Sequence, residues 1–197
     1  MKLLCKYIPE NACNLVQDIL LQHPIIITIV KHRNSKHGDF KKSTHGKVCI
    51  TINRSLNQYQ FLLTLIHEIA HFTTYKKYKR TKPHGKEWKQ EFQLLMLPFL
   101  NPTIFPIEIL PAMAKYLINP KASTGADVNL TFVLNQYNEK TDKSFIFELP
   151  LGSVFQYRSN YYKLGNKRRT RFECIALSSN RKYLFNQNTE IKILDTT

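Results

Sequence analysis

The sequence predicts an α+β fold. Helices and a small sheet fill residues 1–118, a linker follows over 119–128, and a small antiparallel β domain occupies 129–197. Three observations predict it. Two β-branched runs, "IIITIV" (25–30) and "KVCITIN" (47–53), stand among segments of helical periodicity. The apolar-striped stretch "SLNQYQFLLTLIHEIAHFT" follows them. Beyond residue 128 the texture changes to short aromatic and β-branched runs separated by turn residues.

Taken in order, "PENACNLVQDILLQ" (9–22) sets Ala12, Leu15, Val16, Ile19 and Leu20 at helical spacing. Pro9 suits its first turn and Pro24 ends it. Residues 25–30 read as a strand. A short strand around Asp39 to Lys42 lies between turns at Gly38 and Gly46. In 47–53, Val48, Ile50 and Ile52 alternate with polar neighbours, as in a half-buried strand. Ser55 with Gln58 three residues later forms a capping-box signature, so the next helix runs from about 55 to 74. Another helix begins near His84, carries Trp88, Phe92 and Leu95 inward, and stops at Pro98. "IEILPAMAKYL" gives a short helix. The runs from "LTFVLNQY" to "EIKIL" supply the strands of the C-terminal β domain.

The 197 residues carry 29 Lys and Arg against 14 Asp and Glu, a net charge of +15. Such an excess favours a polyanionic partner. It concentrates in three blocks. Residues 31–47 hold Lys31, Arg33, Lys36, Lys41, Lys42 and Lys47. Residues 76–89 hold Lys76, Lys77, Lys79, Arg80, Lys82, Lys86 and Lys89. Residues 158–171 hold Arg158, Lys163, Lys167, Arg168, Arg169 and Arg171, with Tyr157, Tyr161, Tyr162 and Phe172 close by. Phosphates are neutralised by such clusters, and aromatic rings stack on exposed bases. The same pattern also describes a solvated face over a core of aromatic side chains. No run of 18 apolar residues exists, so no membrane span is expected. "MKLLCKYIPE" lacks a signal-peptide core, which points to the cytoplasm. Cys5, Cys13, Cys49 and Cys174 form no CxxC and read as free thiols.

The chemistry sits in "HEIAHFTTYKKYKRTKPHGKEW" (67–88). Positions i and i+4 share a helix face, so His67 and His71 can direct nitrogens at one ion. Zinc takes nitrogen and sulfur ligands in a tetrahedron, and a catalytic site uses three protein ligands with a fourth position open. Glu68 follows the first histidine and stands beside the ligand face, where it can take a proton from water. Chance gives H-E-x-x-H in roughly one chain in a hundred of this composition. The third ligand must come from elsewhere. His84 is the leading candidate, between Pro83 and Gly85, with His32, His37 and His45 as competitors in a polar, Lys-rich loop.

"HEIAH" followed twelve residues later by "HGKEW", with the lead-in "ITINRSLN…FLLTLIHEIAH", resembles the SprT-like (Spartan-related) metallopeptidase family over roughly residues 1–100. The resemblance implies a zincin-like metalloprotease domain with one zinc per chain, held by His67, His71 and His84, and Glu68 as base. It also implies protein substrates bound or crosslinked to DNA, with DNA, single-stranded or structured, as partner. The enzyme is expected to be a monomer, nucleoid-associated if bacterial. Many bacterial relatives end in a zinc ribbon of paired cysteines. Here the corresponding region has Cys174 alone, so the β domain is expected to lack that ribbon. The expected nucleic-acid contacts are Lys76, Lys77, Lys79, Arg80 and Lys82 beside the metal, and Lys163, Lys167, Arg168, Arg169 and Arg171 in the β domain. The rival readings are a DNA-binding or adaptor protein with a structural or idle metal site, and a small-molecule zinc hydrolase.

Overall fold

A computed structural model describes residues 3–33, 36–42, 47–78, 80–139 and 143–194. It divides the chain into two compact units, Met1–Asn138 and Glu139–Thr197. The division lies ten residues beyond the boundary expected from sequence, for a local reason given below.

In the first unit, helix α1 (Cys13–Leu21) is preceded by a 3-10 turn, Glu10–Ala12, that Pro9 caps. Strands β1 (Ile25–Val30), β2 (Gly38–Lys42) and β3 (Val48–Asn53) form a sheet in the order β1-β3-β2. The β1–β3 pair is parallel, with Ile27 opposite Ile50, and β2–β3 is antiparallel, with Phe40 opposite Ile50. Ile50 and Ile52 point into the core, as their alternation requires.

Helix α2 (Gln58–Lys77) packs on this sheet and is buried from Gln60 to Thr74 except at His71. Its cap differs from the expected capping box. Asn57 is the N-cap, accepting from the backbone N–H groups of Tyr59 and Gln60 at 3.1 and 3.0 Å. Ser55 instead meets His32, Oγ to Nδ1 at 2.7 Å. The Asn57 amide also donates to Leu134 O (2.8 Å) and Asn138 Oδ1 (2.7 Å). One side chain thus starts α2 and ties it to a segment some eighty residues away. Asn57→Ala removes the cap and both ties, with an expected cost of about 2–3 kcal/mol. Urea unfolding measures it; a loss below about 0.5 kcal/mol, the scale of an ordinary surface substitution, would contradict this account.

Helices α3 (Lys86–Met96), α4 (Leu110–Ile118) and α5 (Val128–Asn135) complete the unit. The run "LTFVLNQY", expected to be the first strand of the β domain, is helical as α5. Asp127 caps it by accepting from Leu130 N–H at 3.1 Å, and Leu130 and Leu134, one turn apart, are buried in the first unit's core. Docking of those two leucines overrides the β-prone composition, which is why the units divide at Asn138 rather than in the expected linker.

Cys5 and Cys13 lie 5.6 Å apart between Cα atoms and are joined as a disulfide, while Cys49 and Cys174 are free. The expectation of four free thiols therefore fails for that pair. The turn of chain before α1 doubles back, bringing together cysteines that sequence spacing leaves apart.

The second unit is an antiparallel sheet of β4 (Lys143–Phe145), β5 (Val154–Tyr157), β6 (Asn160–Arg168), β7 (Arg171–Ala176), β8 (Lys182–Asn186) and β9 (Glu190–Ile193). Its order is β4-β9-β5-β6-β7-β8. Phe155, Tyr162, Leu164, Phe172, Cys174 and Phe185 form most of its core. Alternation along β6 separates two adjacent tyrosines, leaving Tyr162 buried and Tyr161 exposed. Among the described residues, no helix is long and apolar enough to cross a membrane.

Candidate metal centre

Helix α2 supplies two histidines one turn apart because its period returns to the same face after four residues. The His67 and His71 ring centroids are 5.1 Å apart. The third imidazole arrives from the loop before α3. His84 itself takes a left-handed conformation, φ 56°, uncommon for a residue with a side chain. Gly85 follows so closely on the loop that a Cβ there would lie 2.9 Å from Lys82 O. The backbone bond from Gly85 N–H to Lys82 O, 2.8 Å, closes this turn. His84 therefore precedes α3 rather than beginning it.

Trp88, on the first turn of α3, forms the floor under the cluster. Its ring lies 4.6 Å from His67, 4.6 Å from His84 and 5.3 Å from His71, centroid to centroid. Phe92 stacks beneath it at 5.1 Å. With both aromatic rings fully buried, the imidazoles rest on a close-packed and poorly deformable base.

The three Nε2 atoms converge. His84 Nε2 is 3.0 Å from His71 Nε2 and 3.2 Å from His67 Nε2. Two nitrogens on a tetrahedral zinc with bonds of 2.0–2.1 Å stand about 3.3 Å apart. A neutral imidazole has one N–H, so protons cannot satisfy all three facing nitrogens well. The donor set thus fits a metal ion better than a hydrogen-bonded histidine cluster. Among the described residues, these histidines form the one group of ligating side chains close enough to share an ion, with all ligand atoms within 4.8 Å of one another.

Electrostatics agree with that chemistry. Burial, then repulsion from His71 and His84, brings the His67 pKa down to about 3. Burial and His84 bring His71 down to about 4, and burial lowers His84. All three are held neutral, the form that ligates. Glu68 is pushed up to about 7, first by burial and then by the negative charge of Asp39, against a hydrogen bond from the Phe40 backbone and the charges of Lys36 and Arg33. A carboxyl poised near neutrality can both take and return a proton.

A cavity of about 350 Å³ opens beside the cluster, lined by Phe40, His71, Tyr75, Tyr78, His84 and Trp88, among others. Lys42 hydrogen-bonds the Tyr75 hydroxyl and stands 4.8 Å above its ring. Phe40 was missed as a site-lining residue from sequence, whereas Tyr75 and Tyr78 stand near the histidines in sequence and only the fold brings them to the cavity. For Tyr75 a signal existed, since it lies four residues after His71 on the same helix. A larger apolar groove of about 460 Å³, lined by Leu4, Leu20, Ile25 and Ile27, shares no residue with the histidines.

The other sequence candidates are dispersed. His32 is engaged with Ser55. His37 belongs to the loop before β2, its carbonyl accepting from Asn53 N–H at 2.9 Å. Neither joins the cluster, and His45 lies outside the described residues. Arg80 and Lys82 line the cavity. Lys76 is exposed. Lys77 is bound to Glu91 at 2.7 Å, linking α2 to α3, and Lys79 lies outside the described residues. In the second unit, Lys163 and Arg171 are exposed. Lys167 stands over the Phe172 ring at 5.8 Å, and Arg168 pairs with Glu173 at 3.0 Å. Arg169 sits in the β6–β7 turn with φ 54°.

No solved structure matches the chain. Residues 19–104 match the model of the SprT-like family. That span holds all three histidines and Glu68, and with it the chain carries a SprT-like domain.

Proposed function

We propose that the protein is a zinc-dependent endopeptidase of the SprT-like type, acting on proteins bound or crosslinked to DNA. The observation that carries the reading is the convergence of His67, His71 and His84 within hydrogen-bond distance, with Glu68 on the next position of the same helix. His67, His71 and His84 would hold the zinc. When bound, zinc polarises a peptide carbonyl and makes water acidic enough to attack near neutral pH.

The chain's own groups do the rest. The three imidazoles, held neutral by burial, keep their lone pairs available for the ion. Glu68 takes a proton from the attacking water and returns it to the leaving amine, from the helix position next to the first histidine. Phe40 and Tyr75 provide apolar walls against which a substrate side chain can seat. Arg80 and Lys82 set positive charge at the same cavity, where a phosphate backbone beside the cleft would be attracted.

A cleavage assay on a DNA-bound protein, with and without DNA and with and without a chelator, tests the reading. Turnover that requires DNA and stops with the chelator is expected. DNA binding without turnover under any of these conditions would overturn it in favour of a DNA-binding protein with a structural metal. The net charge of +15 supports the DNA term under either reading. Exposed Lys163 and Arg171 are the β-domain contacts chosen for test. Replacing both with Ala should reduce the slope of log K against log salt by about 2. An unchanged slope would remove this face from the interface.

A further inference from the structure

Strand β2 begins at Gly38, directly beside Glu68. A Cβ at Gly38 would lie 2.7 Å from Glu68 Oε1, 2.7 Å from Thr64 Cγ2 and 2.9 Å from Glu68 Cγ. Carbon does not approach unbonded atoms so closely, so Glu68 occupies the room that a side chain at position 38 would need. Gly38 has no left-handed φ. The requirement there is for space rather than for conformational freedom.

The backbone around Gly38 has little freedom to retreat. Asn53 is fully buried, and its amide donates to Arg33 O (3.0 Å) and Lys36 O (2.9 Å). Its backbone N–H holds His37 O at 2.9 Å, and Arg33 Nε donates to its Oδ1 at 2.8 Å. On the other side, β2 is locked in register with β3, Gly38 opposite Ile52 and Phe40 opposite Ile50. Thr64 is buried in α2 and β-branched, hence stiff. The group most able to move is the far end of the Glu68 side chain.

We infer that Gly38 is a positioning residue for Glu68. It leaves the space in which the carboxylate packs against β2, where the Phe40 N–H donates to it. The steric contact stands by itself; its effect on turnover rests on the reading of Glu68 as the base.

A stability cycle on the zinc-loaded protein tests the contact without any substrate. Gly38→Ala is expected to lower Tm by about 4 °C in the wild-type background. With Thr64→Ser removing the Cγ2 contact in both arms, the shift should fall by at least half when Glu68→Ala takes away the crowded side chain. Equal shifts in the two backgrounds would overturn the inference. If Gly38→Ala fails to fold, combining it with Glu68→Ala and Thr64→Ser should restore folding, and failure to do so counts equally against it. For turnover, Gly38→Ala should lower kcat roughly 10- to 100-fold, with KM and zinc content unchanged. A wild-type kcat in this variant would overturn the positioning role. If the wild-type protein itself cleaves nothing, the peptidase reading falls, and the stability cycle still decides whether Gly38 makes room for Glu68.

Discussion

Glu68→Gln is expected to keep one zinc per chain and to lower kcat by about 10²–10⁴-fold or more, the range for loss of a general base. Glutamine nearly matches glutamate in shape and retains an oxygen that can accept from the Phe40 N–H, so the contact with β2 survives. It cannot take up a proton. Glu68 is buried and does not belong to the histidine cluster, so its neutral replacement leaves the ligand set intact. The measurement is steady-state cleavage alongside elemental analysis of the same preparation. A Gln variant that cleaves at the wild-type rate would show that another group moves the proton. A variant that loses its zinc would show that Glu68 supports the ligands rather than the chemistry.

His84→Ala is the second large effect, and it falls on the metal. His84 Nε2 stands within 3.2 Å of both other Nε2 atoms and is the one of the three imidazoles supplied by the loop before α3. Loss of even an outer partner of a metal ligand costs 10- to 100-fold in affinity, so losing a direct ligand should weaken zinc by more than about 100-fold. A folding readout accompanies it. Zinc at 100 times its dissociation constant stabilises the native state by about 2.7 kcal/mol. Added zinc should therefore raise the Tm of the wild type and leave that of the variant almost unmoved. His37→Ala serves as the control, since His37 is not in the cluster, and should behave as wild type. Equal zinc stoichiometry and affinity in His84→Ala and wild type would separate this imidazole from the metal. Two zincs per wild-type chain would point to a second site.

The histidines of α2 were legible from sequence because the i, i+4 relation is a property of one helix and needs no tertiary information. His84 was harder. Three other His residues competed with it, and the His-Gly pattern recurs at 37–38 and 45–46. What singles it out is the turn closed from Gly85 to Lys82 and the Trp88 ring beneath it. The helix cap shows the opposite outcome. Ser55 and Gln58 satisfied a local rule, yet Asn57 took the position because its side chain also reaches α5. The run 128–135 shows it again: a β-prone composition became a helix once Leu130 and Leu134 could be buried together.

Short-range regularities settled the class of fold, the strands of the first sheet, the helix that carries the paired histidines and the family resemblance. Each follows from periodicity or spacing within one element, where a residue's neighbours in space are its neighbours in the chain. The third imidazole's place, the packing of Glu68 against Gly38, the aromatic floor and the division between the two units came from contacts between distant segments. Those depend on which surfaces exclude water together, and on the room left between them once they have done so. A linear pattern records neither.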